Sequence, residues 1–286
     1  MNVQWYPGHM AKAKRMMQEN MKLIDVIIEL VDARAPLSSK NPDIDSIAGN
    51  KSRVLLLNKY DMADPKYNES WKRFFEDKGY HTALINSKNG QGMEQIKDLV
   101  YKACEAKIER DKKRGIINRP VRAMVVGIPN VGKSTFINGF VGKATAKTGN
   151  KPGVTKGKQW IRLSSKIELL DTPGILWPKF EDPAAGMRLA FIGSISDDII
   201  QITELAAELI LFLVKFYPSA LKDRYGIQVP DELKTIGDCV NILEQIAIKR
   251  GCLMKGGAPD LDRAALILTD DFRNARLGKI TLEFPE

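Results

Sequence analysis

The order of two short motifs constrains this chain more than any other feature of its sequence. Residues 127–134, Gly-Ile-Pro-Asn-Val-Gly-Lys-Ser, follow an apolar run that predicts a strand and open a stretch that predicts a helix. Backbone N–H groups of such a loop can surround a phosphate, because the helix dipole favours anions at the helix N-terminus. The motif Asn58-Lys59-Tyr60-Asp61 comes before this loop, whereas most chains that carry both have it afterwards. We therefore expect a nucleotide-binding sheet with circularly permuted elements.

The phosphate loop supplies two side chains for phosphate and cation chemistry. Lys133 would bridge the β- and γ-phosphates and is a predicted catalytic residue, and the Ser134 hydroxyl would bind Mg²⁺. The loop residues expected to contact the nucleotide are Asn130, Val131, Gly132, Lys133, Ser134 and Thr135.

A second group of residues would face the terminal phosphate. Asp171 opens the segment Asp-Thr-Pro-Gly and would reach Mg²⁺ through a water, while the Gly174 N–H would contact the γ-phosphate. Thr155, in the setting Pro-Gly-Val-Thr, is the expected second hydroxyl ligand and a predicted catalytic residue. Thr145 and Thr148 lie nearby, so the assignment of Thr155 depends on that setting.

The motif at residues 58–61 predicts recognition of guanine. The Asp61 carboxylate would accept hydrogen bonds from N1–H and N2–H₂, a donor pair that adenine lacks. Asn58 would support the base and tie its loop to the phosphate loop, and the Lys59 stem would lie over the ring. Asn-Ser-Lys at residues 86–88 would offer backbone N–H groups to guanine O6. The predicted base-binding residues are Asn58, Lys59, Tyr60, Asp61, Asn86 and Ser87.

Hydrophobic patterning predicts an α/β fold with a doubly wound, mostly parallel sheet, as in a circularly permuted P-loop GTPase, followed by an all-helical C-terminal domain. The predicted strands are 26–31, 54–57, 82–85, 121–126, 160–163 and 167–170, the last two forming an antiparallel hairpin. The predicted helices are 42–49, 65–78, 93–114, 183–192, 202–217, 231–249 and 261–277, the last capped by Gly278. We expect a GTPase domain at residues 1–178 and a helical RNA- or ribosome-binding domain at 179–286.

The net charge of +9 is concentrated in one segment. Residues 112–167 hold thirteen Lys or Arg and no Asp or Glu, whereas residues 176–286 carry more acidic than basic side chains. The lysines of this segment are too many for one nucleotide, which favours a polyanion-binding surface over a phosphate pocket with a solvated face. A smaller basic patch in the helical domain has ordinary solvated helix faces as its alternative.

No run of about 18 apolar residues predicts a membrane span, and three widely spaced cysteines indicate reduced packing residues.

The order of the motifs resembles that of the circularly permuted ribosome-biogenesis GTPases of the YlqF/RbgA type. The resemblance includes Trp-Tyr-Pro-Gly-His-Met at residues 5–10 and Asp32-Ala33-Arg34, and it covers nearly the whole chain. It implies a cytoplasmic GTPase that acts late in maturation of the bacterial large ribosomal subunit and is stimulated by that particle. The implied partners are GTP or GDP and the large subunit with its RNA, without a membrane, and we expect a monomer.

Two departures from ordinary GTPases affect the chemistry. Ile175 stands where many small GTPases have a water-orienting Gln, so hydrolysis by the protein alone should be slow. His9 is the best catalytic candidate in cis; the alternative is a local structural role after the Pro-Gly turn. Asn130 resembles the residue that helps hold K⁺ in potassium-activated GTPases, and the alternative is that it only shapes the loop.

Three functions compete at this point. The first is a GTPase switch that times release from a ribosomal precursor. The second is a GTP-sensing RNA-binding scaffold with little turnover. A metabolic phosphate-transfer enzyme is weakest, because no separate substrate-binding constellation is evident. Intact Lys133, Ser134, Asp171 and Thr155 favour the first.

Overall fold

The structure, a computed structural model, describes residues 8–117, 119–142, 159–177, 180, 182–233 and 235–285, without the side chains of His9 and Ile236. One six-stranded sheet forms the centre of the first part of the chain. Its strands are β1 (Val26–Asp32), β2 (Ser52–Asn58), β3 (His81–Ile85), β4 (Val121–Gly127), β5 (Gln159–Arg162) and β6 (Ile167–Asp171).

Helices separate most of these strands and make up just over half of the described residues outside the sheet. They are α1 (Gly8–Asn20), α2 (Pro42–Ala48), α3 (Pro65–Asp77), α4 (Ile96–Ala103), α5 (Glu105–Lys113), α6 (Lys133–Val141), α7 (Pro183–Phe191), α8 (Ile202–Phe216), α9 (Ala220–Tyr225), α10 (Ile236–Arg250) and α11 (Leu261–Arg273). Helices α2 and α3 both begin with proline after a side-chain cap, from Asn41 and Asp64 respectively. Proline has no N–H to leave unpaired in the first turn, so these starts are favourable.

The strand order is β3-β2-β1-β4-β6-β5, with every neighbouring pair parallel except the antiparallel β5–β6 pair. The doubly wound sheet with its antiparallel edge strand is therefore confirmed. The chain winds outward from β1 to β3 and then crosses to β4 on the other side of β1. In such sheets the crevice at the carboxyl ends of the two strands where the winding reverses is the usual ligand site.

The sheet is buried as its apolar strands predict. All seven residues of β1 are buried, including Glu29 and Asp32. On one side Trp71 and Phe75 of α3 pack with Leu55 and Leu57 of β2 in a continuous apolar cluster. Strands that are covered on both faces need apolar residues at successive positions, which explains the lack of alternation in their sequences.

Several helix predictions were wrong in their boundaries. Helix α1 was not predicted, and the predicted helix 93–114 is two helices that break at Cys104. The final helix ends at Arg273 with Asn274 as its cap, so Gly278 lies in a later turn and is not the C-cap. Helix α10 starts at a capping box formed by Thr235 and Asp238, later than predicted, and the short α9 was missed.

The contacts divide the chain into two compact units, Met1–Gly186 with Thr281–Glu286, and Met187–Ile280. The domain boundary after residue 178 stays a prediction. The final segment returns to the first unit, where the Leu282 N–H donates to Arg34 O at 2.7 Å and Trp71 Nε1 donates to Glu283 O at 3.2 Å. The last residues therefore pack with the first unit, and the predicted domain bounds of 179–286 also stay a prediction.

The second unit is helical, as predicted. Helix α11 packs against α8 and α10, and Asp271 near its end is buried. Arg224 pairs with that carboxylate at 2.8 Å, and the Tyr225 hydroxyl donates to it at 3.0 Å. Burial, together with this carboxylate, raises the pKa of Tyr225 far above its usual range. The phenol therefore stays protonated and holds α9 to α11.

Cys104, Cys239 and Cys252 are buried free thiols, in agreement with the packing role predicted for them. Across the described parts of the chain, no helix is long and apolar enough to cross a membrane.

Candidate nucleotide site

The phosphate loop joins β4 to α6 through left-handed backbone conformations. Gly127 and Gly132 have φ values of 151° and 101°, and Asn130 has 57°. A Cβ on Gly132 would lie 2.4 Å from Asn58 Nδ2, and one on Gly127 would lie 2.7 Å from Leu30 O. Only glycine lets these two positions approach the neighbouring strand ends so closely. The loop then enters the N-terminus of α6, where an anion is favoured.

Lys133 begins α6, and its side chain turns back into the loop. It is 7% exposed, and its ammonium donates to Gly127 O at 3.0 Å and Ile128 O at 2.9 Å. Burial lowers the pKa of Lys133 to about 8, although Asp171 opposes the shift. A buried ammonium whose acceptors among the described residues are neutral carbonyls can exchange them for phosphate oxygens, which carry the missing negative charge.

Asp171 ends β6 close to this lysine. The carboxylate is 1% exposed, and its buried Oδ1 has no hydrogen-bond partner among the described residues. Burial raises the pKa of Asp171 to about 6, against the opposing charge of Lys133. A buried carboxylate oxygen without a partner, at the same end of the sheet as the half-buried Ser134 in the first turn of α6, fits a hard cation that prefers oxygen ligands. These residues therefore suit Mg²⁺, which the GTPase family generally uses.

The turn after Asp171 lies against the phosphate loop. A Cβ on Gly174 would be 2.7 Å from Lys133 Nζ and 2.9 Å from the Pro129 backbone. Gly174 is thus brought to the lysine with which it is predicted to share the γ-phosphate. Ile175 is fully buried, and its carbonyl accepts a hydrogen bond from Asn41 Nδ2 at 3.0 Å. Its side chain therefore cannot orient a water.

Asn58 connects three loops at the ends of parallel strands. It is 1% exposed, its Nδ2 donates to Val131 O at 2.7 Å, and its Oδ1 accepts from the Ser87 N–H at 3.1 Å. The predicted tie between the 58–61 motif and the phosphate loop is therefore present in the structure. Because one amide holds both neighbours, the loops that would surround a base and its phosphates have a defined spacing.

The rest of the guanine motif lies beside this tie. Lys59 has φ 60° and donates to Asn130 O at 2.8 Å, so its stem crosses toward the phosphate loop. The Tyr60 hydroxyl donates to Gln91 Oε1 at 3.2 Å. Asp61 is half-buried beside them, and its recognition of guanine stays a prediction.

The segment at residues 86–88 forms a tight polar turn. Asn86 Oδ1 accepts from the Lys88 N–H at 2.9 Å and the Asn89 N–H at 3.2 Å, while the Ser87 N–H is bonded to Asn58. Each of these N–H groups already has an acceptor within the protein. Contact with guanine O6 therefore requires one of them to exchange or share its acceptor.

Other predicted site residues have less structural support. Val131 is buried and Thr135 half-buried, both within the loop and first turn of α6. His9 lies in the first turn of α1, but its side chain falls outside the described structure. Thr155 also lies outside the described residues, as do most of the lysines of the basic segment.

Two residues of the site were missed by sequence reasoning about chemistry. Asp32 binds Lys59 at 2.9 Å, and Asn41 binds the carbonyl of Ile175. Asp32 directly follows a buried apolar run, a position where parallel strands commonly place functional polar groups, so a signal for it existed. The position of Asn41 before Pro42 indicated a helix cap, but nothing in the sequence indicated its contact with Ile175.

The permuted sheet, the phosphate loop with its buried lysine and the linked 58–61 motif together define a circularly permuted P-loop GTPase. Residues 122–245 match the family model described as "50S ribosome-binding GTPase". Ribosome biogenesis GTPase A of Bacillus cereus is 47% identical, covering 100% of this chain and 95% of that protein. The Thermotoga maritima protein of that name is 33% identical, covering 99% of this chain and 94% of its own length.

Solved structures give the same result. The crystal structure of GNP-bound YlqF from T. maritima matches with a TM-score of 0.66 at 28% identity, covering 96% of this chain and 99% of that one. The chain belongs to the ribosome biogenesis GTPase A family. It is therefore a GTPase of ribosome biogenesis.

Proposed function

We propose that this GTPase binds a late precursor of the bacterial large ribosomal subunit and that GTP hydrolysis times its release. The observation that carries the proposal is a well-formed phosphate site whose catalytic turn continues into the fully buried Ile175. Without a water-orienting side chain there, hydrolysis by the protein alone should be slow until a partner completes the site. The matched family description, a 50S ribosome-binding GTPase, supports the large subunit as that partner.

In this proposal the chain's own residues organise the phosphates. Lys133 leaves the carbonyls of Gly127 and Ile128 for the β- and γ-phosphates, and the Gly174 N–H contacts the γ-phosphate. Ser134, Thr155 and Asp171 would hold Mg²⁺, which supplies positive charge beside the transferred phosphoryl group.

His9 is the proposed water-orienting group, because neutral imidazole can accept a hydrogen bond from water. His9→Ala should depress the turnover stimulated by the large subunit and leave GTP affinity nearly unchanged. Stimulated turnover equal to that of the wild type would exclude this role for His9 without affecting the GTPase assignment.

A potassium ion near Asn130 is a further proposal. The left-handed backbone of Asn130 supports the alternative that it mainly shapes the loop. Turnover should be faster in K⁺ than in Na⁺ at equal ionic strength, and Asn130→Ala should remove that difference. Equal rates in the two salts would favour the loop-shaping role.

A surface on β5 supports RNA binding. Trp160 is 38% exposed, and the Arg122 guanidinium lies over its ring at 5.4 Å from the centroid. The side chains of Arg162 and Lys166 are exposed on the same hairpin. Arg122 also pairs with Glu168 at 3.0 Å, so Arg162 and Lys166 supply the charge that would meet phosphates, and the exposed Trp160 ring would stack with bases.

The basic patch proposed for the helical unit becomes smaller in the structure. Of its seven cations, three arginines have acidic partners: Arg273 pairs with Asp197 at 2.7 Å, Arg276 with Asp270 at 2.7 Å, and Arg250 lies 3.6 Å from Asp271. These ion pairs leave four exposed cations of the proposed patch, namely Lys249, Lys255, Arg263 and Lys279. The polyanion contact in this unit therefore rests on those four.

The decisive test compares GTP turnover with and without purified large ribosomal subunits. We expect stimulation of at least about tenfold, together with salt-sensitive particle binding that weakens in Arg162→Glu and Lys166→Glu. Absent stimulation with intact particle binding would favour the alternative, a GTP-sensing RNA-binding scaffold with little turnover. A monomeric, cytoplasmic protein remains part of the proposal.

A further inference from the structure

Asp32 forms a closed ion pair with Arg34 at the end of β1. Its carboxylate is completely buried and Arg34 is 1% exposed. Arg34 Nε donates to Asp32 Oδ1 at 2.9 Å, and Arg34 Nη2 donates to Oδ2 at 2.8 Å. The Arg34 backbone N–H also donates to Oδ1 at 3.1 Å. Because Arg34 side-chain N–H groups bind both carboxylate oxygens, the Asp32 carboxylate has little freedom to move.

The same carboxylate binds a second cation. Lys59 Nζ lies 2.9 Å from Asp32 Oδ2 and donates to Asn130 O at 2.8 Å. Lys59 therefore joins three elements: the end of β1, the 58–61 motif and the phosphate loop. Its backbone is in the left-handed region, which an L-residue with a long side chain rarely adopts. These two contacts hold the ammonium while the backbone takes that conformation.

Electrostatics explain why a carboxylate is needed here. Burial by itself raises the pKa of Asp32, but Arg34 and Lys59 outweigh it and hold that pKa well below its usual range. Burial and the charge of Arg34 lower the pKa of Lys59, whereas Asp32 raises it. With a neutral side chain at position 32, two cations would face each other without the buried carboxylate between them, and the weaker influence of the half-buried Asp61 on Lys59 would remain. Lys59 would then be driven away from the phosphate loop.

We propose that Asp32, fixed by Arg34, is a positioning residue that holds the Lys59 ammonium against the phosphate loop and so sets the spacing between the guanine and phosphate loops. The proposal rests on the assignment of residues 58–61 to guanine. It predicts that Asp32 and Arg34 set the affinity for GTP and GDP without contacting the phosphates that react.

A purely structural role is the competing explanation, and β1 contains a matched control. Glu29 is also buried on this strand, 1% exposed, and pairs with Arg53 of β2. Glu29→Gln and Asp32→Asn each neutralise a buried carboxylate of β1 with little change in shape. Only the second should affect the nucleotide.

The first experiment measures the Kd for GTP and GDP, kcat at saturating GTP and the thermal midpoint of the nucleotide-free protein for both variants. Asp32→Asn should weaken both nucleotides at least about tenfold, while kcat changes much less. Glu29→Gln should leave both affinities within about twofold of the wild type, and the thermal midpoint shows that the variant is folded. Wild-type affinities in Asp32→Asn, or an equal loss of affinity in Glu29→Gln, would overturn the positioning role.

A double-mutant cycle tests whether Asp32 acts through Lys59. Asp32→Asn combined with Lys59→Met should bind GTP no more weakly than Lys59→Met alone, because the residue being positioned is gone. Additive losses would show that Asp32 acts by another route. Where Asp32→Asn does not fold, Arg34→Lys replaces it, since lysine cannot form the two-pronged contact. Wild-type GTP affinity in a folded Arg34→Lys protein would count against the proposal.

The wild-type protein in the same series separates the two assignments. If it does not prefer GTP over ATP, the assignment of residues 58–61 to guanine fails, and the positioning role fails with it. Guanine preference in the wild type, with unchanged affinities in the variants, refutes only the role of Asp32.

Discussion

At the scale of single residues, Asp61 should decide which base is bound. Its carboxylate accepts from the two donors on guanine, and an Asn there would present a donor in place of one acceptor. Asp61→Asn should therefore weaken GTP and tolerate XTP, while the wild type should prefer GTP over ATP by about 10⁴ or more. Competition binding with the three nucleotides measures this. Wild-type affinities for ATP and GTP within about tenfold of each other would contradict the assignment.

Asp171 should make the nucleotide-free protein less stable at neutral pH. Burial raises its pKa to about 6, above the value of 3.8 for an exposed carboxyl. The cost of burying the charge is therefore fully present above pH 6 and disappears as pH falls and the folded protein takes up the proton. Asp171→Asn should stabilise the nucleotide- and Mg²⁺-free protein at pH 7.5 by on the order of 1 kcal/mol.

Thermal melting from pH 7.5 down to pH 5 measures the Asp171 effect. The advantage of Asp171→Asn should shrink as pH falls below about 6, because the wild-type carboxyl then becomes neutral as well. The variant should at the same time lose Mg²⁺-dependent GTP binding. A variant that is less stable than the wild type at pH 7.5 would show that the carboxylate is not a cost to the fold.

At the scale of elements, the chain's last segment stabilises a loop at the edge of the nucleotide site. Glu283 accepts hydrogen bonds from the Leu37 N–H at 2.7 Å and the Ser38 N–H at 2.9 Å, and also from the Ser38 hydroxyl. The loop then continues to Asn41, which caps α2 and donates to Ile175 O. One carboxylate thus accepts from two successive backbone donors of this loop and from a hydroxyl.

Glu283→Ala should lower the free energy of unfolding by about 2–4 kcal/mol, because it removes a charged acceptor that these donors share. Urea denaturation followed by far-UV circular dichroism measures the effect. Glu69→Ala, at an exposed position in α3, is the control and should change stability by less than about 0.5 kcal/mol. Equal midpoints for the two variants would mean that the last segment contributes nothing to the stability of the first unit.

At the scale of the whole molecule, the permutation determines what the γ-phosphate sensor is connected to. In an ordinary GTPase the segment after this turn returns to the sheet, but here residues 174–186 lead to the helical unit. A γ-phosphate and Mg²⁺ order such segments and release them on hydrolysis. The nucleotide should therefore bias the arrangement of the helical unit, to an extent limited by its differential affinity.

The expected outcome is that a non-hydrolysable GTP analogue favours particle binding and GDP favours release. A pair of fluorescent labels, one on each unit, reports the distance between them in the two nucleotide states. Particle affinity is measured in parallel by sedimentation. The same label distance and the same particle affinity with both nucleotides would exclude this switch.

Much of the fold and of the nucleotide site could be predicted from sequence because the signals are local. Strand–loop–helix patterning around residues 127–134 predicted where phosphates would bind, and the order of the motifs predicted the permuted sheet. Consecutive apolar residues are enough to identify a strand covered on both faces. Helix ends were harder, because the cap at Asn274 and the break at Cys104 depend on packing as well as on propensity.

Only the tertiary structure showed which distant groups meet. Glu283 and Ser38 lie 245 positions apart in sequence, and Asn41 and Ile175 lie 134 apart. The pairing of Asp32 with both Arg34 and Lys59 could not be predicted from the sequence either. A motif specifies what its own side chains can bind. A buried charge, however, is stable only where another part of the chain supplies an oppositely charged or hydrogen-bonding group. That group is decided by how the sheet brings the strand ends together.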